Sequence, residues 1–416
     1  MVAPGDRGRI NPDYDGEMTR PHASVDWIFV LALSALQLLT WGTVFYGFSV
    51  FLEPIEQQLA LPRAQATLGF SLALLAEGLA AYPLGRWIDQ GYGRRVMGLG
   101  SAVVGVGFLG LAQVESLLGF LLAWGVMGLG LAATLYPAAF AVLTRRYPDQ
   151  FRRPIIVLTF LGGLASTVCI PLCAWMVSHW GWRDTALGLG LLHLILCAPA
   201  HAWLLRDERQ IKARHAGPQA LEPLGPHARN PTFWFLGFFI VVLMGVTAAL
   251  PAHLVSLLRG HRLEEFWVLM IPAWVGVVQV LGRFGLLVTE RHIDPHVTNR
   301  WIPGLIPVGL FALWWDPHGV GLWAFVLLYG AGNGMLTIVK GTVVAQYITP
   351  NLVGSLYGLL GVPLALARAA APWLLGVLWN PETGYDEGLI WLVALAIGGW
   401  LSLWGAQARA RGSDTG

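Results

Sequence analysis

Runs of about 20 consecutive apolar residues recur along the whole length of this chain, and no other feature constrains its fold as strongly. An α-helix satisfies all its backbone hydrogen bonds within one segment, so each run predicts a helix that crosses a bilayer. Twelve such runs are predicted. The first six cover residues 27–52, 66–84, 96–113, 117–143, 154–177 and 185–205, and the second six cover 233–258, 266–288, 301–315, 320–348, 353–379 and 389–408. Pro303 and Pro307 interrupt the ninth. With 56% hydrophobic residues and a mean hydropathy of +0.60, a soluble chain would have to bury more apolar surface than its domains could hold.

Between the two sets lies Arg206 to Asn230, a polar stretch carrying Pro218, Pro223 and Pro226 that cannot lie in lipid. The predicted organisation is therefore an N-terminal segment (1–26), a six-helix half (27–205), a central loop (206–230), a second six-helix half (231–408) and a tail (409–416). Basic residues test the topology independently of hydropathy. With both termini inside, about 19 of the 26 Lys and Arg fall on the inner side, about four outside and about three within spans. Both ends are thus expected in the cytoplasm, in a multi-pass protein. Residues 1–26 show no short apolar core ending in a small-residue cleavage site, so no removed signal peptide is expected. Lys212 and Lys340 are the only lysines among many arginines, a bias that fits a GC-rich bacterial chain and an inner plasma membrane.

No phosphate-binding glycine loop, nucleophile elbow or paired-histidine zinc motif is present, which argues against an enzyme or an ATP-driven pump. No cofactor, metal or nucleic-acid partner is predicted, and the chain is expected to work as a monomer in its bilayer. Cys169, Cys173 and Cys197 lie in apolar spans without His or carboxylate neighbours and read as small packing residues. The 51 glycines and 20 tryptophans divide similarly. Glycines such as those of Gly330-Ala-Gly-Asn-Gly334 permit close helix approach, and tryptophans anchor span ends, with Trp41, Trp274 and Trp373 deep enough to face either a cavity or lipid.

Charges inside apolar spans are costly unless paired or facing water, and they carry the functional information. Glu77 lies about 11 residues into the second span, near the middle of a hydrocarbon core about 30 Å thick. It is a proton carrier or half of an ion pair, and a static clasp between helices is the plainer alternative. Arg368 sits near the centre of the eleventh span and stays charged at any relevant pH, so something anionic must face it. Arg283 and Lys340 lie toward the inner ends of the eighth and tenth spans, where snorkelling to the interface competes with a binding role. Three cations against one carboxylate predict a positive cavity that takes an anion. An arginine fork suits a carboxylate, and Lys340 supplies a point charge. Tyr46 in the first span and Asn333 in the tenth complete the candidate binding set.

The turn Gly85-Arg86-Trp87-Ile88-Asp89-Gln90-Gly91-Tyr92-Gly93-Arg94-Arg95 resembles the signature loop of the major facilitator superfamily, which joins the second and third spans. The six-plus-six layout, the polar central loop and Gly181-Trp182-Arg183 extend that resemblance over essentially the whole chain. It implies the twelve-helix major facilitator fold, transport by alternating access, and a gating role for Gly85, Asp89, Arg94 and Arg95, with Asp89 bound to the two arginines when the inner gate is shut. Gly282-Arg283, with a basic residue in the eleventh span, loosely resembles the monocarboxylate porters and oxalate:formate antiporters. That implies Arg283 and Arg368 as carboxylate ligands. Gln279 stands one turn before Arg283 where some of those porters carry an acid, and the loop 288–294 is only a worn copy of the first-half signature. The fold also implies that the second and eleventh spans face one another, so that Glu77 and Arg368 could pair. The expected function is transport of a small organic anion, a mono- or dicarboxylate, coupled to protons or by exchange. Efflux of hydrophobic or cationic compounds is the alternative, favoured by the aromatic content and by Glu77.

Overall fold

The computed structural model describes residues 25–147, 150–208, 224–289, 292–349 and 353–413. The N-terminal segment expected over 1–26 and most of the connection 206–230 lie outside those residues.

Among the described residues the chain is helical, apart from one isolated bridge between Asn380 and Gly384. The first apolar run is longer than its hydropathy suggests. It comprises α1 (Trp27–Thr40), a π-helical segment Trp41–Tyr46 and α2 (Phe48–Leu59), and it passes through Pro54 without ending. Asp26 caps its start by accepting from the Phe29 N–H at 3.1 Å. Next come α3 (Arg63–Trp87) and α4 (Gly93–Ala112), with a helical turn between them that reverses at Gly91. The φ of 89° there is a left-handed conformation suited to glycine, and it is the local reason for the glycine-rich wording of the turn. The next run is α5 (Leu117–Thr134) and α6 (Tyr136–Arg146), broken where Leu135 adopts an extended conformation ahead of Pro137.

Two shorter breaks shape the rest of the first half. Helix α7 (Arg152–Gly163) gives way at Leu164 to α8 (Ala165–Leu192), which reverses at Gly181 (φ 78°) and runs through a π-helical segment into α9 (Ala198–Leu204). After residues 209–223, α10 (Leu224–Arg229) leads to α11 (Pro231–Gly260), capped by the Asn230 side chain on the Thr232 N–H at 2.9 Å. Then follow α12 (Glu265–Thr289), α13 (Pro295–Trp301), α14 (Leu305–Trp315), α15 (Val320–Tyr347), α16 (Val353–Val377) and α17 (Asp386–Ser413). Pro303 turns the chain between α13 and α14, so the proline-interrupted ninth run is a short turn over Ile302–Gly304 followed by α14.

Nine helical stretches among the described residues are long and apolar enough to cross a bilayer. Two of them, Arg63–Ala112 and Arg153–Leu204, span 50 and 52 residues and contain the reversals at Gly91 and Gly181.

The two halves of the sequence meet along two seams of small residues. On one, α3 crosses α16: a Cβ on Gly78 would stand 2.5 Å from Ala365 Cβ, and one on Gly376 would stand 2.3 Å from the Thr67 hydroxyl oxygen. Ser71 also accepts from the Trp373 N–H at 3.1 Å. On the other, α8 crosses α12, where Thr167 donates to the Ala273 carbonyl at 2.8 Å and Gly276 leaves room for Ser166. Close backbone approach of this kind is how helices pack where lipid removes the hydrophobic drive between them. Cys169 is a packing residue against Gly42, in keeping with its burial.

Candidate functional site

Glu77 and Arg368 occupy the α3–α16 seam next to the Gly78–Ala365 contact. Arg368 presents its fork to the carboxylate, with Nη2 to Oε2 at 3.1 Å and Nη1 to Oε1 at 3.4 Å. The side chains are 7% and 22% exposed, so the pair is largely withdrawn from solvent while the arginine keeps an open edge. Lys340 of α15, half-buried, lies within electrostatic range of both partners. Its ammonium has no hydrogen bond or ion pair among the described residues, whereas its backbone carbonyl accepts from the Tyr357 hydroxyl. Two cations and one carboxylate thus share a region where an uncompensated charge is expensive. An anion entering it would meet a fork and a point charge.

Arg283 is placed differently. It is 5% exposed, and its guanidinium donates to the Thr159 carbonyl at 2.8 Å and the Gly334 carbonyl at 3.1 Å. Thr159 belongs to the first half and Gly334 to the second, so in this conformation Arg283 ties α12 to α7 rather than facing a carboxylate. Two of its five N–H donors are thus held by backbone carbonyls in this conformation. Tyr46 and Tyr136 lie within its electrostatic reach.

Tyr46 and Asn333 line one pocket between the halves, together with Ser166, Gln279, Tyr329 and an apolar wall that includes Ile170 and Leu250. Its free space is about 20 Å³, room for about one water. Asn333 donates to the Gln279 side-chain oxygen at 3.2 Å. The candidate binding residues therefore divide between a charged cluster at the α3–α16 seam and a neutral pocket lined from α8, α11, α12 and α15. Of the three deep tryptophans, Trp41 meets Phe45 edge-to-face and Tyr136 at a tilt, whereas Trp274 and Trp373 are 47% and 38% exposed.

At the end of the bundle that carries the signature turn, Asp89, Arg94 and Arg95 are exposed. The expected ion pairs of Asp89 with Arg94 and Arg95 are not formed in this conformation. Arg95 lies over the Tyr92 ring, and the Asp89 backbone carbonyl accepts from Arg145. Arg145 also pairs with Glu208 at 3.3 Å. Burial pushes the Glu208 carboxyl above its ordinary range, and Arg145 and Arg146 oppose that shift. A Cβ on Gly85 would meet nothing within 4 Å, so no packing contact requires glycine there. At this end Leu79 and Tyr82 of α3 and Leu359 and Val362 of α16 are exposed.

The opposite end is shut by a network that sequence inspection missed. Arg63 holds Glu56 through two bonds of 2.6 and 2.7 Å and donates to the Tyr385 hydroxyl at 2.6 Å, and its guanidinium lies 4.7 Å from the Trp379 ring centroid. Arg259 of α11 binds Glu53 of α2 across the halves, and binds Glu265 at 2.6 Å. Buried His253 joins Tyr385, at 2.9 Å, to the Pro372 carbonyl, at 2.8 Å. The available signal was the pair Glu53 and Glu56, one helical turn apart at the end of the first apolar run, opposite the few outer-side arginines.

Comparison with known proteins agrees with this architecture. Residues 31–378 match the sequence profile of the Major Facilitator Superfamily. The chain is 25% identical over 379 residues to monocarboxylate transporter 13 of Bos taurus, covering 83% of each protein. It is 29% identical over 233 residues to multidrug resistance protein MdtL of Klebsiella pneumoniae, covering 53% of this chain and 55% of that one. A solved bacterial homologue of the human lysosomal transporter Spinster, in an inward-facing and occupied conformation, superimposes with a TM-score of 0.70 at 17% identity, covering 94% of this chain and 98% of that one.

Proposed function

Because the chain belongs to the major facilitator superfamily, and so is a transporter rather than an enzyme, we propose that its cargo is a small organic anion carrying a carboxylate. In this account the protein has twelve crossings in two six-helix halves, divided by the central loop, with both termini cytoplasmic in an inner plasma membrane. The halves rock about the α3–α16 and α8–α12 seams to expose the site alternately. The α11–α2 network closes the outer side and the signature turn serves the inner one.

One observation carries this reading: the Glu77–Arg368 fork, with unpaired Lys340 beside it. A substrate carboxylate competes with Glu77 for Arg368, and a proton on Glu77 removes the competitor. Binding and proton coupling are then a single exchange. When the halves rock, Arg283 releases the Thr159 carbonyl and becomes a second basic ligand. The resemblance to a monocarboxylate transporter over 83% of the chain supports the anion.

Efflux of hydrophobic or cationic compounds is the second reading, supported by the partial similarity to a multidrug resistance protein and by the exposed apolar faces of α3 and α16. The test is transport by the Glu77→Gln variant in liposomes. Exchange of labelled carboxylate across the membrane should survive, while accumulation driven by a proton gradient should be lost. Full gradient-driven uptake by the variant would sink the coupling mechanism.

A further inference from the structure

The neutral pocket holds an anomaly that the charged cluster does not explain. Tyr329 is 2% exposed, and its hydroxyl is buried without a hydrogen-bond partner. Buried hydroxyls are ordinarily satisfied, so an orphan in a binding pocket points to a missing ligand atom. The phenol is also held in place. Its ring stacks on Phe325 with centroids 5.0 Å apart, and its backbone is packed so closely on α14 that a Cβ at Gly309 would stand 2.7 Å from Tyr329 N.

The neighbouring polar atoms define what that ligand atom must be. The Tyr46 phenol comes within electrostatic reach of Tyr329 from the first half, and Gln279 lies beside it. Asn333 spends one N–H on the Gln279 oxygen, which leaves an amide oxygen on Asn333 as acceptor and an amide N–H on Gln279 as donor. Donors and acceptors are therefore mixed, and among the described residues no charged side chain lines the pocket. A carboxylate only accepts and an ammonium only donates, whereas a hydroxyl does both. The rest of the wall is aliphatic or proline: Ile170, Leu250, Leu254, Pro251, Pro272 and Val275. Such a wall takes an apolar body.

Resting on the anion reading above, we infer that this pocket receives a hydroxyl carried on an uncharged, apolar part of the substrate. The substrate class is then a hydroxylated apolar carboxylate, not a short acid such as acetate or oxalate, and Tyr329 is the residue that reads the hydroxyl. Tyr46, Ser166 and Ile170 come from the first half and the other lining residues from the second, so rocking of the halves sets the pocket's width. Its present free volume of about 20 Å³ is the contracted state, sized for one water that the hydroxyl replaces.

Titration calorimetry on the purified full chain with benzoate and 4-hydroxybenzoate tests this, using the native protein, Tyr329→Phe and Arg368→Ala. The phenylalanine variant keeps the ring packing and removes only the orphan hydroxyl. The native protein should bind 4-hydroxybenzoate about tenfold more tightly than benzoate, the worth of roughly one hydrogen bond. Tyr329→Phe should erase that preference and leave benzoate unchanged, and Arg368→Ala should weaken both acids by a common factor. Equal native affinities, a preference that persists in Tyr329→Phe, or no binding of either acid would overturn the inference. Benzoate binding that is indifferent to Arg368, with the hydroxyl preference intact, would overturn the anion reading and leave the role of Tyr329 standing.

Discussion

Replacing Glu77 with glutamine should tighten carboxylate binding, although it removes a charge from the heart of the protein. In the native protein a substrate must displace Glu77 from a fork whose two bonds measure 3.1 and 3.4 Å. Charges about 4 Å apart at an effective dielectric of about 20 attract by roughly 4 kcal/mol. Glutamine retains a hydrogen bond to the guanidinium worth about 1 kcal/mol. The Arg368 side chain is 22% exposed, so water screens part of the remainder. About 2 kcal/mol of competition is therefore lost, equivalent to roughly thirtyfold tighter binding. Calorimetry with a carboxylic acid that stays ionised throughout the pH range used provides the assay. At one fixed pH the variant should bind the acid roughly thirtyfold more tightly than the native protein. Equal or weaker binding by Glu77→Gln would refute the competition between Glu77 and substrate.

The other predictions concern the ends and the packing of the bundle. Glu53→Gln should weaken the tie to Arg259 and open the far end more often, read as faster labelling of a cysteine placed at buried Leu254 by a membrane-impermeant maleimide; an unchanged rate would contradict the closing role of the network. Asp89→Asn should slow turnover with little change in substrate affinity, because its carboxylate is unpaired in this conformation and matters only when the turn end shuts; unaltered transport would argue that the turn sets topology alone. Gly128→Ala should lower stability by about 1–3 kcal/mol, since the new Cβ would lie 2.3 Å from the Ala73 carbonyl oxygen, where a backbone must move; a melting temperature equal to the native one would count against this packing.

Much of the helical architecture was legible because hydropathy and the glycine-rich turn both act locally. Gly91 and Gly181 reverse the chain where the sequence places the ends of apolar runs, and Pro303 lies in the turn that starts the ninth. The charges Glu77 and Arg368 were conspicuous for the same reason, as single polar residues in long apolar runs. The partners of Arg283 were not legible, because a sequence shows that a guanidinium needs acceptors, not that the carbonyls of Thr159 and Gly334 supply two of them. The far-end network was hard to read because Glu53, Arg63 and Arg259 come from three separate helices and Tyr385 from the turn before α17, all near span ends, where charged residues are ordinary. Tyr329 reads in sequence as one more apolar-span aromatic. Only the packed structure reveals that its hydroxyl has no partner.

The most direct test of the central claim is uptake into liposomes containing the native chain or Arg368→Ala, with labelled small carboxylates compared against lipophilic cations. The account predicts carboxylate uptake that disappears with the Arg368 guanidinium while the variant remains folded. Transport of lipophilic cations that is indifferent to Arg368, without carboxylate uptake, would contradict it and establish the efflux reading.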